Sequence, residues 1–286
     1  MKTLSKIQQF PNSIGSRCLS RTTPAIFLIF APTTIAAVFF ILLAVPLRAQ
    51  FAYVANQDSG NVSAYSIGSN GALTLVPGSP FASGVAPVSV AIDPASKFAF
   101  VANKISNNVS VYSISPNGAL KPIPGSPFAA GVEPFSVAVD PTGRFAYVVN
   151  EGDNNVSAYD IGPDGALTPI PGSPFAAGSD PTKVAVDPMA KFAYVANEGD
   201  DSVSAYSIGP NGALTPILGS PFAAGSDPID VAVDLSAKFA IVANTLSNSV
   251  SAYSISSNAA LIPVPGSPFA VGIEPVSVAI TQAVSK

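Results

Sequence analysis

The residues whose spacing could build a site are acidic side chains that recur every 47 positions. One position of this repeating pattern, just before a Pro, is occupied in order by Ala86, Glu133, Asp180, Asp227 and Glu274. Clustered carboxylate oxygens without nitrogen or sulfur ligands favour a hard cation, Ca²⁺ before Zn²⁺. They also attract cationic ligands and repel phosphate and nucleic acid. The spacing therefore predicts an acidic surface that binds a ligand or a cation.

Further acids belong to the same predicted surface. Two polar loops carry Glu151-Gly-Asp153 and Glu198-Gly-Asp200-Asp201, and Asp230 lies near one of the repeating prolines. The candidates for ligand or cation binding are Glu133, Asp180, Asp227, Glu274, Asp153, Asp200, Asp201 and Asp230. The alternative is that these are solvated loop acids, since Asp and Glu are common in turns. No contiguous Asp-x-Asp-x-Asp-Gly calcium loop is present, so we assign no cofactor, with Ca²⁺ as the only candidate ion.

The composition excludes several familiar kinds of catalytic and metal site. The 286-residue chain has no His and a single Cys, Cys18. A Ser-His-Asp triad, a Cys-His pair, an H-E-x-x-H zinc site and a multi-Cys zinc site are therefore impossible. A disulfide within the chain is excluded for the same reason.

Charge divides the chain into two parts. Residues 1–50 carry five basic and no acidic side chains, whereas residues 51–286 carry eight basic and seventeen acidic ones. A basic region, 1–24, precedes the segment 25–49, whose apolar run 25–45 is typical of a signal peptide and is also long enough for a membrane anchor. We therefore expect export, with the protein secreted, periplasmic or at the cell surface.

The remaining residues, 51–286, consist of internal repeats. A motif beginning Phe-Ala recurs at 51, 98, 145, 192 and 239, which gives repeats 51–97, 98–144, 145–191, 192–238 and 239–286. Each repeat has four short apolar runs rich in Val, Ile, Tyr and Phe, bounded by Gly, Pro, Asn and Asp, as expected for strands. Four strands in a repeat of about 40–50 residues are typical of a propeller blade. The predicted fold is an all-β propeller of five four-stranded blades.

The order of strands predicts how the ring closes. If each blade runs from an inner strand outward, the first repeat begins at its second strand, and the last residues, Ser277–Thr281, form an extra inner strand. That offset would let the C-terminal strand complete the first blade and close the ring. An open arc, or a ring completed by a second chain, is the alternative.

Repeated residues indicate local structure at the turns and between the blades. The Asn-Gly and Asp-Gly pairs ending at Gly71, Gly118, Gly165 and Gly212 provide the positive φ of tight turns. An Asn that ends each second strand, such as Asn150, is expected to cap a loop through its side chain. The Tyr of each third strand is expected to pack between blades rather than to stack on carbohydrate.

The segments Tyr147-Val-Val-Asn-Glu151 and Tyr194-Val-Ala-Asn-Glu198, the Val-Ser-Ala-Tyr strands and the Val-Asp-Pro turns resemble the YVTN-repeat and lactonase-type β-propellers, which include 6-phosphogluconolactonase-like enzymes. The resemblance covers 51–286 and implies lactone hydrolysis by a general base and a cation. Family His and Arg residues usually follow the Pro that enters an inner strand, and no His or Arg stands there in this chain. Glu151 and Glu198 match the family's Glu and could serve as the base. Lys183 is the only basic residue at an inner-strand entrance and could assist electrostatically.

We interpret the sequence as an exported, non-catalytic binding or interaction module with an acidic channel mouth. If the protein is an enzyme, we expect a lactone hydrolase with Glu151 or Glu198 as base and Lys183 as helper. A structural cell-surface repeat is the third alternative. The expected partner is a protein, a glycan or a small molecule at the channel mouth, not nucleic acid, with membrane contact only through 25–45 if that segment is uncleaved.

Overall fold

The computed structural model describes residues 50–281, which form five antiparallel sheets in the arrangement of a β-propeller. The predicted all-β propeller is therefore confirmed. The helical structure of this part of the chain is one 3₁₀ turn, Glu198–Asp200, and none of it is a helix that could cross a membrane. The predicted basic region 1–24 and apolar segment 25–49 lie outside the described residues.

Each sheet corresponds to one sequence repeat, except that the inner strand of the second to fifth sheets comes from the end of the preceding repeat. The first blade contains β1 (Gln50–Asn56), β2 (Asn61–Ile67), β3 (Leu73–Leu75) and β4 (Phe81–Ala82). The second contains β5 (Pro87–Ile92), β6 (Phe98–Asn103), β7 (Asn108–Ile114), β8 (Leu120–Pro122) and β9 (Phe128–Ala129). The third contains β10 (Pro134–Val139), β11 (Phe145–Asn150), β12 (Asn155–Ile161), β13 (Leu167–Pro169) and β14 (Phe175–Ala176). The fourth contains β15 (Pro181–Val186), β16 (Phe192–Asn197), β17 (Ser202–Ile208), β18 (Leu214–Pro216) and β19 (Phe222–Ala223). The fifth contains β20 (Pro228–Val233), β21 (Phe239–Asn244), β22 (Ser249–Ile255), β23 (Leu261–Pro263) and β24 (Phe269–Ala270).

The outer strand of each blade is broken, which the sequence did not predict. In the third blade β13 and β14 both pair with β12, at opposite ends of it. The chain between them reads Ile170-Pro-Gly-Ser-Pro174, and proline has no N–H to donate to a ladder. The predicted fourth strand therefore exists as two short pieces separated by a turn.

The turns and loops use the residues expected from the sequence. Gly118 has φ +83° and lies against the Phe51 ring of the preceding blade, where an added Cβ would approach the ring to 2.3 Å. Asn150 accepts a 3.1 Å hydrogen bond from the Gly131 N–H and donates to Asn155 and Ser157. The Asn side chain thus ties the loop that enters a blade to the second strand of that blade, as predicted.

The core lies between the blades and is built from their second and third strands. Every residue of β11 is buried. The third-strand Tyr donates to a backbone carbonyl of the preceding blade, as Tyr112 does to Ala82 at 2.6 Å and Tyr159 to Ala129 at 2.7 Å. These tyrosines pack between blades, as predicted, and each links two neighbouring sheets.

The predicted closure by Ser277–Thr281 is not formed in the described structure. Within residues 50–281, β1 pairs only with β2, so its other edge has no strand beside it. The C-terminal segment lies beside β20, where Asp230 accepts hydrogen bonds from the Ser277 hydroxyl at 2.8 Å and the Val278 N–H at 2.9 Å. The five sheets consequently form an open arc.

Candidate functional site

One rim of the arc brings together residues from four different blades. The inner strand of a blade begins on this rim, and the second strand ends there, because the two run antiparallel. Backbone hydrogen bonds fix this arrangement: the N–H of Glu151 donates to the Glu133 carbonyl at 3.0 Å, and that of Glu198 to the Asp180 carbonyl at 3.0 Å. We call the carboxylates on this rim the acidic mouth; they are Glu133, Glu151, Asp180, Glu198, Asp227 and Glu274.

The residue before the inner-strand Pro is held in the same way at three of the five repeat positions. Glu133, Asp180 and Glu274 have φ of 53°, 48° and 52°, in the left-handed region. The backbone N–H of each donates to an Asn side chain of the preceding blade at 2.8 to 2.9 Å. The sequence-predicted ring of acids therefore exists as a set of equivalent positions on one rim.

A lysine that the sequence analysis missed lies within this rim. Lys104 Nζ is 2.7 Å from Glu151 Oε2, 3.6 Å from Glu133 Oε2 and 4.8 Å from the centre of the Phe135 ring. Burial alone would lower the pKa of Lys104, but the hydrogen bond and charge of Glu151, together with Glu133, raise it. A signal was available, because Lys104 follows a second-strand Asn exactly one repeat before Glu151.

Glu198 experiences a different environment from Glu151. No lysine or arginine of residues 50–281 forms an ion pair with it. Burial, followed by the charges of Asp227, Glu151 and Asp180, raises the pKa of the Glu198 carboxyl above its usual range. Of the two predicted bases, Glu198 is therefore the one without a basic partner among residues 50–281, and its raised pKa suits a general base.

A second polar group lies on the inner strands. Lys183 Nζ is 3.9 Å from Asp230 Oδ1, and the Lys183 side chain is 43% exposed whereas that of Asp230 is 11% exposed. The two residues occupy the same register in neighbouring blades, each one step past a β-bulge. Bulges re-aim side chains and are common beside active sites. Ser136 has this register in the third blade, and its buried hydroxyl has no hydrogen-bond partner among the described residues.

Three of the predicted ligands accept hydrogen bonds from backbone N–H groups. Asp153 accepts a 2.7 Å hydrogen bond from the Val132 N–H, and Asp201 accepts one of 2.8 Å from the Asp227 N–H. Asp200 likewise accepts from the Ser179 N–H. Across residues 50–281 no group of three or more acidic, His or Cys side chains could hold a metal ion. These loop carboxylates therefore stabilise the rim.

Arg144 lies at the opposite rim from the acidic mouth. It belongs to the turn between β10 and β11, at the other end of these strands from Glu151. Its guanidinium stacks on the Phe145 ring at 4.7 Å. Within the described part of the chain, the cations available to the acidic mouth are therefore Lys104 and Lys183.

Comparison with known proteins identifies what the chain resembles. The family model described as "Lactonase, 7-bladed beta-propeller" matches residues 40–125 and 120–279. A search of curated proteins gives no significant match.

Solved structures give the same fold. A candidate 6-phosphogluconolactonase from Bacteroides fragilis is 20% identical, with a TM-score of 0.69 over 80% of this chain and 69% of its own. A candidate 6-phosphogluconolactonase from Bacteroides uniformis is 19% identical, with a TM-score of 0.68 over 81% of this chain and 71% of its own. The periplasmic gluconolactonase PpgL of Pseudomonas aeruginosa is 19% identical, with a TM-score of 0.65 over 80% and 70%.

These matches change the functional interpretation. They confirm the resemblance to lactonase-type propellers and agree with the conditional assignment to lactone hydrolases. The main prediction, a non-catalytic binding or interaction module, is wrong, because the family match favours a lactonase. That prediction gave too much weight to the missing His and Arg and overlooked the lysine on the rim.

Proposed function

Because the chain belongs to the lactonase family of β-propellers, we propose that it hydrolyses a lactone at the acidic mouth. The observation that carries this proposal is the Glu198 carboxyl. It lies on the rim without a basic partner among residues 50–281, and burial and neighbouring carboxylates raise its pKa. A carboxylate in this state accepts a proton from water more readily than an ordinary one.

The reaction needs a base and a site for negative charge. Ionised Glu198 accepts a proton from water while the water oxygen forms a bond to the lactone carbonyl carbon. The charge that develops on the carbonyl oxygen is stabilised by the Lys183 ammonium, whose ion-pair partner within residues 50–281 is Asp230 at 3.9 Å. The ring C–O bond then breaks, and the leaving oxygen takes the proton from Glu198. The product is a hydroxy acid.

Lys104 has a supporting role in this scheme. Its ammonium is held by Glu151 at 2.7 Å and by Glu133 at 3.6 Å. The lysine offsets part of the negative charge of the mouth and keeps Glu151 fixed. Glu151 is therefore a positioning residue here, and Glu198 is the base.

The pH dependence of activity tests this assignment. Because the base must be ionised, activity should rise with pH through the raised pKa of Glu198, above the usual value of about 4.3. Asp227→Asn removes one of the charges that raise this pKa and should move the acidic limb of kcat/KM to lower pH. Asn tolerates the φ of 65° at this position.

The control for this experiment is Asp160→Asn on the exposed face of β12, which should leave the acidic limb in place. Lactone opening can be followed by titrating the acid released across the pH range. An acidic limb that is the same in wild type and Asp227→Asn would show that Glu198 is not the group that titrates.

We further propose that the five blades close into a ring through the C-terminal segment. The repeat supports the pairing: Pro87 pairs with Asn103 and Ser89 with Ala102, so Pro275 and Ser277 would pair with Asn56 and Ala55. The first and fifth blades, at the two ends of the arc, also expose the residues that pack between neighbouring blades elsewhere in the structure. Leu73 is 57% exposed on the first blade, whereas its equivalents Leu120, Leu167, Leu214 and Leu261 are 5%, 5%, 4% and 4% exposed.

Closure would also satisfy two contacts that internal blades make. Tyr65 would donate to the Ala270 carbonyl, as Tyr112 donates to that of Ala82. Phe239, which is 47% exposed, would cover Gly71, as Phe51 covers Gly118. In a closed ring of five blades the angle between neighbouring blades is about 72°, compared with about 51° in a seven-bladed propeller. Five blades lie within the range of blade numbers that propellers adopt.

We also propose that the protein is exported. The basic and apolar N-terminal segment supports this, and the structurally similar Pseudomonas aeruginosa protein is described as periplasmic. N-terminal sequencing of protein from fractionated cells tests it. We expect the chain outside the cytoplasm, beginning near residue 50; full-length protein in the cytoplasm would contradict the proposal.

A further inference from the structure

We propose that the lactone opened at the acidic mouth carries no phosphate, so that the substrate class is an uncharged polyhydroxy lactone. The proposal rests on the lactonase function proposed above and concerns which lactone the mouth accepts. The relevant observation is the distribution of charged side chains on the two rims.

Among residues 50–281 the acidic mouth has no cation for a phosphate besides Lys104 and Lys183, and the proposed reaction uses Lys183 at the lactone carbonyl oxygen. Lys104 is held by Glu151 and Glu133, and Lys183 faces Asp230. The other basic residues of the described chain lie elsewhere: Lys97, Arg144, Lys191 and Lys238 are in the turns of the opposite rim, and Lys121 is on β8. A phosphate monoester, which carries about 1.5 to 2 negative charges at neutral pH, would meet six carboxylates without a dedicated partner.

The raised pKa of Glu198 indicates the electrostatic potential that such a phosphate would experience at this rim. Its pKa is raised by burial first and then by the charges of Asp227, Glu151 and Asp180. The neighbouring carboxylates thus already disfavour one additional negative charge at this rim. A dianion brought to the same place would be repelled more strongly, since the electrostatic energy is proportional to its charge.

The same carboxylates suit the hydroxyls of a sugar lactone. An ionised carboxylate only accepts hydrogen bonds, and a hydroxyl can donate one.

The test compares the opening of glucono-δ-lactone and of its 6-phosphate by the purified protein, each corrected for spontaneous hydrolysis. At an ionic strength of about 0.01 M we expect kcat/KM for the unphosphorylated lactone to be larger by about tenfold or more. The difference should shrink at about 1 M salt, where charges are screened beyond about 3 Å. Equal or faster opening of the phosphorylated lactone at low salt would overturn this proposal and leave the lactonase function standing.

Variants with fewer carboxylates distinguish electrostatic repulsion of the phosphate from a poor steric fit. Asp180→Asn combined with Glu274→Gln should raise the relative rate of the phosphorylated lactone several-fold, whereas Asp160→Asn on β12 should not change the ratio. An unchanged ratio in the double variant would also overturn the proposal. If neither lactone is opened faster than in buffer by the folded protein, the proposed lactonase function fails, and the substrate assignment fails with it.

Discussion

Replacing Glu198 with Gln should lower kcat for lactone opening by about 10²–10⁴-fold. The substitution keeps the size and polarity of the side chain and removes its ability to accept a proton. Glu198 has no basic partner among residues 50–281, so the change breaks no ion pair there. Steady-state kinetics on an unphosphorylated lactone, with circular dichroism to confirm the fold, provide the measurement.

Two matched variants make this result specific to the base. Asp160→Asn removes an exposed carboxylate from β12 and should retain wild-type rates. Glu151→Gln weakens the contact with Lys104 and should reduce activity less than Glu198→Gln, because Glu151 only positions its neighbours. Retention of most of the wild-type kcat by Glu198→Gln would exclude Glu198 as the base.

The second large effect concerns the ring. Leu120→Ala should lower the free energy of unfolding by about 2–5 kcal/mol, because this side chain is 5% exposed and packs in a cluster that includes Val62 of the preceding blade. In a closed ring Leu73 packs in the same way against the fifth blade, so Leu73→Ala should cost a similar amount. Thermal or urea denaturation of the two variants, side by side with wild type, measures both values.

An open arc gives a different pattern. There Leu73 stays 57% exposed, and its replacement should change stability by no more than about 0.5 kcal/mol. A large effect at Leu120 together with a negligible effect at Leu73 would therefore contradict closure. Because the two leucines are equivalent positions of one repeat, each serves as the control for the other.

The sequence predicted the blades well because their determinants are local. The short apolar runs, the Asn-Gly turns and the Asn that closes each second strand act within a few residues of one another. The broken outer strand was also readable in principle, since two prolines flank its turn at Ile170–Pro174. Closure was harder to predict, because the repeat specifies the contact between neighbouring blades and leaves the number of blades in the ring open.

The site was predicted only in part, because its charges come from different blades. The ring of acids before the inner-strand prolines followed from the 47-residue spacing. Lys104 did not, since its partner Glu151 belongs to the next blade. Asp153 and Asp201 were interpreted as ligands, but they accept backbone N–H groups, and the sequence does not reveal which loop carboxylates are used in that way.

The most direct test of the account is the rate at which the wild-type protein opens glucono-δ-lactone, measured by acid release at constant pH. We predict a saturable rate well above spontaneous hydrolysis, which falls to near the spontaneous rate in Glu198→Gln. A folded wild-type protein whose rate equals that of buffer alone, or a Glu198→Gln variant as fast as wild type, would contradict the assignment of the acidic mouth as a lactonase site.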